Sequence, residues 1–160
     1  MHTIKRLIIH CAATPNGKHL GTVTKNAAQI IDEWHRARGF KRRYPYTEQF
    51  NPHLKAIGYH YVIDTDGRLM TGRAPAEVGA HVAGQNTGSL GIYMVGTDKF
   101  THQQWKTLHE LIEDLKFAYQ GVDIKGHNDF TNKKICPGFK VAEYIANGFE
   151  PKQEWIYETK

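Results

Sequence analysis

Two short apolar runs in this chain end on histidine, and the second leads within nine residues to a cysteine. Leu7-Ile8-Ile9 precedes His10, a short strand-like segment from Val122 to Lys125 delivers Gly126-His127, and Cys136 follows. Two imidazoles and a thiolate form a borderline-soft ligand set that suits zinc. Two such ends on neighbouring strands would bring the imidazoles together, with Cys136 returning on the loop. Strand ends entering loops are where α/β proteins build sites. Three protein ligands leave a fourth position for water, which points to hydrolysis; a closed structural site would need a fourth ligand. A lone histidine is more often structural than ligating, and the chain has ten. No HExxH, paired CxxC, Walker loop or GxSxG elbow offers a competing chemistry.

A length of 160 residues predicts one domain spanning 1–160, with a core that needs no staples. The two cysteines make no disulfide framework, and Cys11 is expected as a small buried hydrophobe on the strand face opposite His10. Only three apolar residues separate Lys5-Arg6 from His10, too few for a secretory signal, so synthesis in a cytosol is expected. The net charge of +5 favours anionic partners. Its densest cluster is Arg36, Arg38, Lys41, Arg42 and Arg43, followed by Tyr44, Tyr46 and Phe50. Such mixing of basic and aromatic residues fits a solvated loop at least as well as a nucleic-acid surface.

Periodicity predicts a helix over 25–38, with Ala27, Ile30, Ile31, Trp34 and Ala37 on one face and Gly39 at its stop. Residues 40–57 carry two prolines and no period, and read as a long loop. Strands at 59–63 and 69–71 flank Asp66-Gly67, a hairpin pair because both positions tolerate positive φ. Leu90 to Val95 reads as a buried strand. Thr101 and Gln104 form a capping box for a helix carrying Trp105, Leu108, Leu111, Ile112, Leu115, Ala118 and Tyr119. A last helix near 141–146 ends at Gly148. The expected class is α/β (α+β), a central mixed sheet flanked by helices.

The series IIHCAAT, GYHYVIDTDG, GRAPAEVGAHVAGQNTGSLGI and GHNDFTNKKICPGF resembles, in order, the zinc-dependent N-acetylmuramoyl-L-alanine amidases. These include short phage endolysins and peptidoglycan-recognition proteins. The resemblance runs from about residue 6 to residue 145. It implies Zn²⁺ held by His10, His127 and Cys136 in a surface groove. The implied reaction cleaves the amide between N-acetylmuramic acid and the L-alanine of the stem peptide of bacterial peptidoglycan. It places Tyr59 and Lys134 in catalysis, Lys134 as the ammonium facing an oxyanion, although a loop one residue longer than in a phage relative leaves Lys133 as the alternative. Tyr59 would orient water, share the base role or donate to the oxyanion; by its pattern alone it is a strand aromatic. His81 and Asn86 fall in the region that lines the peptide groove and are assigned to substrate, a loop-fixing role being the alternative for His81. His60 and His35 are expected to be structural.

The chain departs from phage relatives between Gly39 and Gly58, where eighteen residues replace a few. This segment is expected to rim the groove, its basic residues 41–43 contacting anionic envelope. The implied protein is a monomeric endolysin reaching the wall through a holin-type membrane lesion, with no nucleic-acid partner. The rivals are a recycling amidase acting on anhydro-muropeptides, a non-catalytic peptidoglycan-binding module and a basic nucleic-acid-binding domain. Retention of Cys136 argues against the binding module.

Overall fold

The computed structural model describes residues 3–133 and 135–158. In chain order it contains β1 (Arg6–Cys11), α1 (Ala27–Ala37), α2 (Tyr46–Gln49), β2 (Tyr61–Ile63), β3 (Leu69–Thr71) and β4 (Ser89–Met94). Then follow β5 (Phe100–Thr101), α3 (His102–Ala118), β6 (Asp123–Gly126), α4 (Val141–Ala146) and β7 (Ile156–Tyr157). Five strands form one sheet in the order β3-β2-β4-β1-β6, and β5 pairs with β7 in a small second one. Only the β2–β3 hairpin is antiparallel within the large sheet, so it is mixed as expected.

Helices cover both faces of the sheet, and strand alternation assigns residues to each. Leu7, Ile9 and Cys11 of β1 and Leu90, Ile92 and Met94 of β4 pack with Trp105, Leu108 and Ile112 of α3 and Val141 and Tyr144 of α4. Tyr93 and Val95 pack on the other face with Val62, Met70, Ala27, Ala28 and Ile31. Every residue of β4 is buried, as a strand covered on both faces must be. Thr101 and Gln104 close the expected capping box on α3.

The buried face of α1 is rotated from the predicted one. Asp32 and His35 are buried and Trp34 is 41 % exposed. The cause is the loop folded against it. Asp32 Oδ2 accepts from the Lys55 N–H at 3.1 Å, and Asp32 Oδ1 accepts from the Ala56 and Ile57 N–H groups at 2.6 and 2.7 Å. His35 Nδ1 accepts from the Gly58 N–H at 2.8 Å. Four successive amides, three of them buried, need acceptors, and α1 supplies them.

The basic segment 41–43 is divided by burial. Lys41 and Arg43 are exposed, but Arg42 is internal. Its Nη2 meets Glu77 Oε1 at 2.9 Å with both side chains at 0 % exposure, and its Nη1 donates to the Asn51 and Leu54 carbonyls. Glu77 Oε2 accepts from the Arg43 N–H at 3.0 Å and lies 3.7 Å from Arg73 Nη1. Arg42 therefore holds the insertion instead of presenting charge to an envelope polymer. The Asp66-Gly67 turn differs too. Only Gly67 has positive φ, +84°, and its N–H donates to the Asp64 carbonyl at 2.9 Å. This longer turn needs a left-handed residue only at its end.

Glu77→Ala should lower unfolding stability by about 3–5 kcal/mol in urea titrations, because two buried guanidinium groups lose their counter-charge. An Arg42→Met, Glu77→Leu double variant should lose less than the single one. His35 supplies a pH prediction. Burial, then the Arg38 and Arg73 charges, lowers its pKa to about 4. The unfolded chain therefore binds the extra proton, and this stability is present above about pH 6.5 and is lost as pH falls towards 4. Unfolding free energy should drop by about 2 kcal/mol from this group between pH 7 and 5.

Candidate active site

The site begins with register. β1 runs parallel to β6 with Ile9 opposite Gly126, and the residue that follows each of them is a histidine. His10 and His127 consequently leave adjacent strand ends together, their rings 4.8 Å apart. On the other side of β1, His10 stands opposite Tyr93 of β4. After His127 the chain makes one short helical turn, His127–Asp129. The Asn128 N–H then donates to the Cys136 carbonyl at 2.8 Å, folding the loop back onto the strand ends. One potential ligand atom each from His10, His127 and Cys136 lie within 4.8 Å of one another.

The chemistry of this cluster fits a zinc ion. Bonds of about 2.0–2.3 Å to nitrogen and sulfur need only small side-chain closure from the observed separation. His10 is 1 % exposed. Its burial first, and the neighbouring His81 and His127 next, hold it far below the usual histidine pKa, so its ring is neutral. A neutral imidazole can bind metal without first losing a proton. The Cys11 N–H donates to Cys136 Sγ at 2.9 Å, which favours the thiolate. Cys11 lies in the core as expected, with its backbone serving the neighbouring sulfur.

Around the cluster is a groove of about 800 Å³. Tyr59 stacks between the site and the core, its ring 5.0 Å from His10, 5.3 Å from His35 and 4.3 Å from Tyr93. Burial and then Tyr93 raise its pKa well above the ordinary value. It is a neutral phenol at working pH, fit to donate a hydrogen bond. Lys133 lines the groove. Lys134 lies outside the described residues.

His81 and Asn86 also line the groove, but their resolved bonds point inward. His81 Nδ1 meets His10 Nε2 at 2.9 Å. Asn86 Oδ1 accepts from the His81 and Val82 N–H groups, each at 2.8 Å, and so closes its own turn. These bonds fix the loop, the alternative left open for His81, while both residues remain part of the groove lining. His60 faces away, its Nδ1 accepting from the Gly91 N–H at 3.0 Å and its Nε2 2.8 Å from the Glu77 carbonyl. Sequence reasoning missed Trp34, Arg38 and Phe40, which form another part of the wall, with the Arg38 guanidinium 4.7 Å from the centre of the Phe40 ring. The signal available was the excess of aromatic and basic residues around Gly39.

A family model described as N-acetylmuramoyl-L-alanine amidase matches residues 1–139. The endolysin of Enterobacteria phage T3 is 29% identical over 150 residues, covering 89% of this chain and 85% of its own. The solved N-acetylmuramoyl-L-alanine amidase LysC from Clostridium intestinale URNW superposes with a TM-score of 0.70 at 27% identity, over 91% of this chain and 85% of its own. Drosophila PGRP-LB shares the fold, with a TM-score of 0.69 at 22% identity over 99% of this chain and 88% of its own.

Proposed function

The chain belongs to the N-acetylmuramoyl-L-alanine amidase family, and from that premise we propose that it is an endolysin. Its reaction would hydrolyse the amide joining the lactyl group of N-acetylmuramic acid to the L-alanine of the stem peptide. The observation that carries this reading is the convergence of His10, His127 and Cys136 in one groove.

Those three residues would hold zinc. The ion supplies Lewis-acid polarisation of the scissile carbonyl and acidifies water. The chain's own groups do the rest. The neutral Tyr59 hydroxyl donates to the oxygen that gains negative charge, and a lysine ammonium from 133–134 stabilises the same charge. The family resemblance supports Lys134 for that task, and the groove lining supports Lys133. Trp34 and Phe40 offer apolar surface to the sugar–peptide chain, and Arg38 offers a cation to its carboxylates.

Purified sacculi incubated with the protein should lose turbidity and release new L-alanine amino termini without new reducing sugar ends. Cys136→Ser should lose both zinc and lysis; a variant retaining full zinc content and full activity would overturn the reading. Tyr59→Phe should keep zinc and lower kcat by about 100-fold. Lys133→Ala and Lys134→Ala, measured side by side, should separate into one variant with a comparable loss and one near wild type.

A further inference from the structure

Three side chains form a hydrogen-bonded line from the candidate metal cluster back to main-chain oxygens. His10 Nε2 and His81 Nδ1 are 2.9 Å apart. His81 Nε2 and Ser89 Oγ are 3.2 Å apart. Ser89 Oγ in turn lies 2.7 Å from the Gln85 carbonyl and 3.0 Å from that of Asn86. The direction of every bond follows from the far end. Carbonyl oxygens only accept, so the Ser89 hydroxyl donates to them and turns its lone pairs to His81. His81 Nε2 therefore carries hydrogen. A neutral imidazole has a single N–H, so His81 Nδ1 is bare and accepts. The proton between the two rings then belongs to His10 Nε2, and His10 Nδ1 keeps its lone pair.

The His81 ring is held in place from several sides. Asn86 fixes its main chain. Gly91 leaves the space it occupies, since a Cβ there would stand 2.8 Å from His81 Cγ and 2.9 Å from Nδ1. Gly79 is similarly restricted, its Cβ position lying 2.7 Å from His81 Cδ2.

We propose that Ser89 and His81 are positioning residues that lock His10 in its Nε2–H tautomer and so reserve Nδ1 for the ion shared with His127 and Cys136. This rests on the zinc reading of the site. Neither residue needs to touch substrate. Partners of this kind orient a ligand and raise its basicity, and their loss costs about 10–100-fold in metal affinity. Without Ser89, the His81 ring can carry its proton on Nδ1. His10 would then accept through Nε2 and hold its own proton on Nδ1, the nitrogen needed for metal.

The test measures the zinc dissociation constant by chelator competition, with folding of each variant checked by circular dichroism and urea midpoint. Ser89→Ala should weaken zinc by about 10-fold or more although no ligand has changed. His81→Leu should weaken it comparably. His81→Asn, whose Oδ1 can replace Nδ1 as acceptor, should stay closer to wild type than His81→Leu. Ring ¹⁵N shifts of the wild-type protein should show hydrogen on Nε2 of both His10 and His81. Hydrogen on His81 Nδ1, or wild-type zinc affinity in folded Ser89→Ala, would overturn the proposal while leaving the zinc site intact. A wild-type protein that binds no zinc would overturn both readings together.

Discussion

The pairing of β1 with β6 is the constraint on which the rest of the site depends. Because Ile9 sits opposite Gly126 and both strands run the same way, two distant histidines emerge at one level. Strand periodicity then sends His10 to the α1 side of the sheet and Cys11 to the α3 side. A slip of one residue in that pairing would separate the imidazoles and turn His10 towards the apolar core. The many contacts of α3 and α4 with the sheet have a functional consequence for this reason. They stabilise the packing that sets the register, and each fully buried Leu or Ile among them contributes about 1.5–3 kcal/mol.

Much of this was legible in the chain itself. The apolar runs ending at His10 and before His127, the Thr101–Gln104 capping box and the periodic face from Trp105 to Leu115 each announce one local structure, and each is present. The mixed sheet flanked by helices follows from their order. What was not legible involves groups satisfied across long separations. Asp32 and His35 spoil the apolar face of α1 when counted by period, yet they are buried because the amides of 55–58 fold onto them. Arg42 reads as one charge of a surface cluster until Glu77, thirty-five residues away, is found beside it. The small β5–β7 sheet joins two strands of only two residues each, too short to show any period.

Electrostatically, the site is prepared by burial. The rings at its base are held without charge, His10 by desolvation and neighbouring imidazoles, Tyr59 by desolvation and Tyr93. Cations stand nearer the rim, where Arg38 is exposed and Lys133 lines the opening. This arrangement separates uncharged electron-pair donors at the base from positive groups at the rim. The segment 40–57 is itself anchored, with Arg42 buried against Glu77 and the amides of 55–57 donating to Asp32 of α1.

The bare backbone at Gly91 has one more consequence. Glycine is a poor resident for the centre of a buried strand and costs about 0.5–1 kcal/mol relative to alanine. Here it lies in β4, flanked by Leu90 and Ile92, where a β-branched residue would otherwise suit the pleat. The chain accepts a weaker strand in return for a notch that admits the His81 ring. A search for stabilising substitutions guided by strand preference would choose this position early, and any side chain it introduced would collide with the His81 ring.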